Sequence, residues 1–283
     1  YANFYATKQK PTNNFSGGRR TPCFKAYERL EIEIIPKSNP KDLDKFIKHY
    51  KDLIQDKIDE VPYSEIYKWE TIQYFQNNWK DDFNESNILQ NLNDSFNYDN
   101  NNLWSGSHYL PYKAIKGYAE VQPRKVAEMF HTLFDDSKDL KERLMFFETS
   151  AEEILLEEHP DKKWDHYQSR RAMVLYLCLK YPNKYFLYKN GMFNDFCKIT
   201  KFWPPFGSAK KKDYSVLDDY FKMCYALKEI LEQDEELLSI HKGRLPEEIS
   251  FNDDNNVLVQ DFIHAIATYL NPDNYNMNET IDN

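Results

Sequence analysis

The sequence predicts an all-α protein of about eight to ten helices, preceded by a short N-terminal extension that contains one β-strand. Two observations support this fold class. The chain of 283 residues has only 7 glycines, whereas tight hairpins and phosphate-binding loops need glycine because it adopts positive φ at little cost. From residue 39 onward, apolar residues recur at intervals of three and four, which is the spacing of one face of an α-helix. We therefore expect one helical domain over residues 38–272.

The N-terminal extension, residues 1–37, has a different pattern. Its first 23 residues are polar and basic, and apolar and polar side chains then alternate between residues 24 and 35. Such alternation is typical of a β-strand. Because a single strand is not stable alone, we interpret residues 1–37 as a linker or as the tail of a preceding domain. Residues 273–283 are interpreted as a C-terminal tail or linker.

The helical domain begins at Asn39-Pro40, a pair suited to a helix N-cap and first turn. Three amphipathic helices precede an Asn-rich loop at residues 97–102, and Pro111 and Pro123 begin the next two helices. A long helix is predicted to end at His159-Pro160. The next one, over residues 171–181, has apolar residues on all sides and is therefore predicted to be buried. Three further helices are predicted near residues 191–199, 214–240 and 257–270.

Charge and hydropathy indicate a soluble, cytoplasmic protein. The net charge is −9, and the longest apolar run, Ala172 to Leu179, is far shorter than the about 20 residues that a membrane span needs. The N-terminus lacks the apolar stretch of a signal peptide. No C-x-x-C pair occurs among the four cysteines, so we expect buried, reduced thiols rather than disulfides. The cysteines are Cys23, Cys178, Cys197 and Cys224.

Motifs for catalysis are missing from the sequence, so we expect no catalytic residue, no cofactor and no metal. It contains neither the P-loop motif G-x-x-x-x-G-K-[ST], nor G-x-G-x-x-G, nor G-x-S-x-G. One alternative is a Zn or Mn site of a metal-dependent nuclease at His159, Asp161, Asp165 and His166. Their spacing does not match a known zinc motif. The favoured interpretation is therefore a helix C-cap at His159 and a helix N-cap at Asp165.

A basic and aromatic segment between residues 198 and 214 is the candidate DNA-binding site. Lysines can neutralise phosphates, and a projecting aromatic ring can stack on an exposed base. The alternative is a loop that folds onto the core while its lysines are merely solvated. Including two arginines of the N-terminal extension, the candidate DNA-binding residues are Arg19, Arg20, Lys201, Trp203, Lys210, Lys211 and Lys212.

Several short sequence segments, taken in their order along the chain, resemble segments of a known group of proteins. In chain order they are Tyr67-Lys68-Trp69-Glu70, Phe75-Gln76-Asn77-Asn78-Trp79, residues 103–111, residues 126–130, residues 133–140, His166-Tyr167-Gln168, residues 181–189 and Gln260-Asp261-Phe262-Ile263. This order resembles the helical region that precedes the AAA+ motor in McrB-like NTPases of type IV, modification-dependent restriction systems. The resemblance covers about residues 42–270.

The resemblance implies a role in restriction. Proteins of this group continue into a P-loop GTPase or ATPase domain, so the resemblance implies that this chain is an N-terminal fragment, and no position here matches the family's catalytic residues. It implies a non-catalytic specificity or adaptor module. Its partners would be DNA, modified or unmodified, the AAA+ motor domain of the same parent protein and an McrC-like nuclease subunit. The alternative, favoured by the negative charge, is a protein-interaction scaffold in phage defence without DNA contact.

Overall fold

The computed structural model describes residues 41–55, 63, 65–98, 103–104, 111–161, 164–206, 210 and 212–270. These residues contain eleven α-helices and no β-strand, which confirms the all-α class for this part of the chain. The strand predicted between residues 24 and 35 lies outside the described residues. The helices are α1 (Lys41–Ile54), α2 (Tyr67–Asn78), α3 (Ile88–Phe96), α4 (Pro111–Val121), α5 (Pro123–Phe134), α6 (Leu140–Glu158), α7 (Arg170–Lys180), α8 (Asn190–Thr200), α9 (Ser215–Leu231), α10 (Glu235–Arg244) and α11 (Asn256–Thr268).

The described residues hold one helix more than the upper end of the predicted range, because the helix predicted over residues 214–240 is in fact two. Helix α9 ends at Leu231 and α10 begins at Glu235. Between them, the carboxylate of Asp234 accepts a hydrogen bond of 2.9 Å from the backbone N–H of Leu237. An aspartate in this position satisfies an N–H group that the first turn leaves without a partner. A new helix therefore starts within a stretch whose periodicity predicted one continuous helix.

Helix α6 ends as predicted, but α7 does not begin as predicted. His159 caps α6, and its backbone N–H donates to the carbonyl of Leu155. Helix α7 begins only at Arg170, so the predicted N-cap at Asp165 is wrong. The Asp165 carboxylate instead accepts the backbone N–H of His166, whose own Nδ1 accepts the backbone N–H of Gln168. These local hydrogen bonds compete with helix formation and delay its start.

Contacts between Cα atoms divide the chain into two compact units. Among the described residues, the second unit is the stretch Tyr67–Lys184, which contains α2 to α7. The first unit is built from sequence on both sides of it, and contains α1 and α8 to α11. Within the first unit, α11 packs against α8, α9 and α1, and α10 packs against α1. Helix α11 is the centre of this unit, since every side chain from Asn256 to Ala267 is buried.

The second unit has a core of interlocking aromatic rings. The ring of Phe130 lies 5.3 Å from that of Phe147, 5.4 Å from Trp79 and 5.4 Å from Tyr176. Aromatic pairs at such distances contribute about 0.5–1.5 kcal/mol beyond their buried area. The prediction of a fully buried helix over residues 171–181 is confirmed for α7, where all eight side chains from Ala172 to Leu179 are buried.

Three of the four cysteines are buried thiols that are not in disulfides, as predicted. They are Cys178, Cys197 and Cys224, and Cys23 lies outside the described residues. Burial raises the pKa of both Cys197 and Cys224 above the usual value, so these side chains stay protonated and behave as small apolar groups. In the part of the chain that the structure describes, none of the helices has the length and apolar character needed to cross a membrane.

Candidate functional site

Exposed lysines lie on both sides of a buried aromatic pair in the connection between α8 and α9. Helix α8 ends at Thr200, and Lys201 follows in a left-handed conformation with its N–H donating to the carbonyl of Cys197. This conformation terminates a helix and turns the chain. The Lys201 side chain is exposed, whereas the next two residues, Phe202 and Trp203, are 0% and 5% exposed. The chain thus buries its aromatic rings and leaves the charge outside.

The middle of this connection is fixed onto α8. The ring of Phe206 stacks on the ring of Phe193 with 4.2 Å between centroids. The backbone N–H of Phe206 donates to Oδ1 of Asn194 at 2.8 Å, and that of Phe202 donates to Oγ1 of Thr200 at 3.2 Å. The connection is therefore held by stacking and by hydrogen bonds to α8, in addition to burial of Phe202.

The end of the connection is a turn that carries two exposed lysines, Lys210 and Lys212. The backbone N–H of Asp213 donates to the carbonyl of Lys210, and Lys212 adopts a left-handed conformation. The Asp213 carboxylate accepts hydrogen bonds from both the N–H and the hydroxyl of Ser215 at the start of α9. Asp213 thus lies at the helix N-terminus, where a negative charge is favourable.

The predicted DNA-binding residues fall into three groups: exposed residues, a buried residue and residues outside the described part of the chain. Lys201, Lys210 and Lys212 are exposed, so their ammonium groups are accessible to a partner. Trp203 is buried, so its indole face is not presented to a base, in keeping with the alternative that the loop folds onto the core. The others, Arg19, Arg20 and Lys211, lie outside the described residues. Phosphate contact by the lysines stays a prediction.

The candidate nuclease cluster between residues 159 and 166 does not assemble. His159 and Asp161 are exposed, whereas His166 is buried. The His166 Nε2 lies 3.3 Å from the Asp165 carboxylate and 3.7 Å from that of Glu148. Among the described residues, the one group of three or more side chains that could share a metal ion lies elsewhere, in the first unit.

That group belongs to a buried polar cluster around Asp261, which we call the Asp261 cluster: Tyr50, Tyr63, Glu65, Arg244, Asp261 and His264. Asp261 lies on α11 and is completely buried. Its Oδ2 accepts hydrogen bonds of 2.7 Å from the hydroxyl of Tyr50 and from Nη2 of Arg244. Its Oδ1 accepts a hydrogen bond of 2.7 Å from the hydroxyl of Tyr63. A buried carboxylate is tolerated only when it is paired and hydrogen-bonded in this way.

The two tyrosines act as permanent donors to Asp261. Burial, reinforced by the negative charge of Asp261, raises the pKa of Tyr50 and of Tyr63 well above the usual value. Both hydroxyls therefore keep their protons over the physiological pH range. The ring of Tyr50 also packs edge-to-face against Phe262, the neighbour of Asp261, with centroids 5.2 Å apart.

A second pair, His264 and Glu65, completes the Asp261 cluster. Nδ1 of His264 lies 3.3 Å from Oε2 of Glu65, whose Oε1 accepts a hydrogen bond from the hydroxyl of Tyr269. His241 lies beside the cluster, and its Nδ1 is 3.4 Å from Nε of Arg244. Burial and the positive charge of Arg244 together lower the pKa of His241 to about 4. His241 is therefore neutral at pH 7.

Sequence reasoning missed the Asp261 cluster. The available signal was a pair of ionisable residues three positions apart, Asp261 and His264, within an otherwise mostly apolar helix. Residues at this spacing lie on the same face of a helix. Their partners could not be found from local pattern, because Tyr50, Tyr63 and Glu65 come about two hundred positions earlier in the chain.

Comparisons with known proteins add no family to this description. The chain matches no family model, and it has no significant match among curated proteins or solved structures.

Proposed function

We propose that this chain is a non-catalytic helical module that contacts the phosphates of DNA through Lys201, Lys210 and Lys212. The observation behind this proposal is that these three ammonium groups are exposed on a connection whose aromatic residues are packed onto α8. The anchored rings of Phe202 and Phe206 reduce the conformational freedom of the backbone that follows Lys201. Less entropy is then lost when Lys201 engages a ligand.

The burial of Trp203 supports a contact to phosphates over a contact to bases. Because the Trp203 ring is buried and the half-buried Phe206 ring already stacks on Phe193, neither ring is freely presented to a base, and we propose that the lysines contact the DNA backbone. Phosphate contacts position a protein on DNA without reading its sequence. With a net charge of −9, binding is expected to be weak, local and strongly dependent on salt.

The biological setting we propose is an McrB-like restriction NTPase. The sequence phrases between residues 42 and 270, and their order, support this setting. In it, the module holds DNA, modified or unmodified, for the AAA+ motor of the parent protein and for an McrC-like nuclease subunit. Residues elsewhere in the module or its partners would then distinguish modified from unmodified DNA, because phosphate contacts do not.

Fluorescence anisotropy with labelled duplexes tests the proposal. The variant carries Lys201→Ala, Lys210→Ala and Lys212→Ala. The control carries Lys113→Ala, Lys138→Ala and Lys141→Ala, which remove the same charge from exposed positions of the second unit. At about 50 mM salt we expect the variant to bind at least about tenfold more weakly and the control to bind as the wild type does. Equal binding by variant and wild type would remove these lysines from the proposed site.

A second candidate function, a protein-interaction scaffold, is favoured by the exposed apolar surface of the second unit. In the described residues, the exposed large apolar side chains all fall between residues 121 and 167: Val121, Met145, Phe146, Leu156, Trp164 and Tyr167. Met145 and Leu156 lie about three turns apart on the same face of α6. A contiguous exposed apolar patch is the usual mark of an interaction site, and we propose that Met145 and Leu156 belong to one. No DNA binding at low salt, combined with co-elution of motor or nuclease, would favour the scaffold.

A further inference from the structure

The strongest further feature of the molecule is a set of three buried ligand groups within the Asp261 cluster. Glu65, Asp261 and His264 each offer one carboxylate oxygen or imidazole nitrogen, and these three atoms lie within 4.8 Å of one another. The side chains are 6%, 0% and 8% exposed. From this arrangement we infer that Glu65, Asp261 and His264 form a binding site for a divalent transition-metal ion such as Zn²⁺.

The backbone places the ligands where such an ion needs them. Asp261 and His264 are three positions apart on α11, so both side chains leave the same face of the helix. Glu65 approaches from the residues just before α2, which belong to the first unit. The distance of 3.3 Å between Nδ1 of His264 and Oε2 of Glu65 matches the separation of roughly 3.3 Å between two ligands on a tetrahedral zinc ion. One imidazole nitrogen and two carboxylate oxygens are a donor set that suits Zn²⁺.

The surrounding hydrogen bonds orient these ligands. Tyr63 donates to Asp261 and Tyr269 donates to Glu65, which fixes the direction of both carboxylates. Partners of this kind hold metal ligands in place and are important for affinity. A carboxylate has about four acceptor positions, so Asp261 can bind an ion and still accept the hydrogen bonds from Tyr50, Tyr63 and Arg244.

The charge of Arg244 sets the strength of the site. The two carboxylates and Arg244 sum to a charge of −1, so a divalent ion brings the cluster to +1 when His264 is a neutral ligand. Because Arg244 already pairs with Asp261 at 2.7 Å, it opposes the ion. The ion therefore binds more weakly than in a site without the arginine.

With three protein ligands, the ion would need a water molecule or another group to complete its coordination, and the role we assign to it is stabilisation of the fold. All three ligands are buried, and together they connect α11 to the residues that precede α2 within the first unit. A bound ion would thus stabilise the first unit against unfolding by an amount that grows with metal concentration. This role is independent of DNA binding, which we assign to the exposed lysines.

Metal titration of the untagged, chelator-treated full chain tests the site. Zn²⁺ binding is measured by equilibrium dialysis with elemental analysis, and Co²⁺ serves as a spectroscopic probe of the ligand set. The variants are His264→Asn and Glu65→Gln. The matched control is His166→Asn, which removes the buried histidine that faces Glu148 in the second unit. Circular dichroism reports whether each variant is folded. If His264→Asn does not fold, Glu65→Gln still tests the site.

We expect one Zn²⁺ per chain, with a rise in Tm, and visible absorption from bound Co²⁺. Loss of either ligand should weaken binding by at least about tenfold, whereas the control should bind as the wild type does. The inference is overturned if the wild type retains no stoichiometric Zn²⁺, or if both variants bind Zn²⁺ with unchanged affinity. In either case the Asp261 cluster would be a buried network of hydrogen bonds and ion pairs without a metal ion.

Discussion

The connection between α8 and α9 and the Asp261 cluster lie in the same compact unit, yet they handle charge in opposite ways. The connection buries Phe202 and Trp203 and leaves Lys201, Lys210 and Lys212 outside. The Asp261 cluster buries the charges themselves, and every carboxylate oxygen of Asp261 accepts a hydrogen bond. The charges of the connection can therefore be removed with little effect on the fold, whereas those of the cluster cannot.

The energetic difference follows from solvation. An exposed charge keeps its water, and its pairing contributes about 0–1 kcal/mol. Removal of one partner from a buried pair costs about 3–5 kcal/mol, because the remaining charge has neither water nor a counterion. Contact with a partner requires exposed charges such as those of the lysines. The geometry of a buried site depends on buried, paired charges such as those of Asp261 and Arg244.

The largest expected effect comes from Asp261→Asn. This substitution leaves the mostly buried guanidinium of Arg244 without its counterion, and we expect the free energy of unfolding to fall by about 4 kcal/mol. Urea denaturation of chelator-treated protein at pH 7 measures the change. The double variant that adds Arg244→Met should recover part of the loss, since it removes the uncompensated cation. A loss below about 1 kcal/mol in the single variant would mean that the pair is not buried in solution.

The next effect tests the aromatic anchor of the connection. Trp203→Ala removes a buried indole and leaves a cavity, so we expect a loss of about 3 kcal/mol. The matched control is Trp164→Ala, because the Trp164 side chain is half exposed and should cost no more than about 0.5 kcal/mol. Similar losses for the two variants would contradict the burial of Trp203.

A smaller effect depends on pH and involves His241. Its pKa falls from the usual 6.5 to about 4 on folding, so the unfolded chain binds a proton more readily than the folded one between these values. The stability that neutral His241 contributes is complete above pH 6.5, and it is lost as the pH falls toward 4. Between pH 7 and pH 5 this loss is about 2 kcal/mol.

His241→Gln should abolish this part of the acid dependence. The drop in stability from pH 7 to pH 5 is then expected to be about 2 kcal/mol smaller in the variant than in the wild type. NMR titration of the His241 ring gives the pKa directly. A measured value close to 6.5 would show that the imidazole is in contact with water.

The sequence predicts the elements of this fold better than it predicts the candidate sites. Periodicity identified the amphipathic α1 and the buried α7, since both depend on residues close together in the chain. It failed between residues 214 and 240, because the capping hydrogen bond of Asp234 interrupts a periodic stretch. The Asp261 cluster was missed since Tyr50 and Asp261 are 211 positions apart. The sequence left the burial of Trp203 open, because the composition of the segment between residues 198 and 214 fits both a base-stacking loop and a loop anchored on the core.

The most direct test of the proposed role of the exposed charges is the salt dependence of DNA binding. The logarithm of the binding constant is measured against the logarithm of salt concentration for the wild type, for the variant with alanine at positions 201, 210 and 212, and for the charge-matched control of the second unit. Each lost phosphate contact reduces the slope by about 0.9, so we predict that the variant's slope is shallower by about 2.7 and the control's slope is unchanged. Equal slopes for all three proteins, or no binding by the wild type at the lowest salt, would contradict the account.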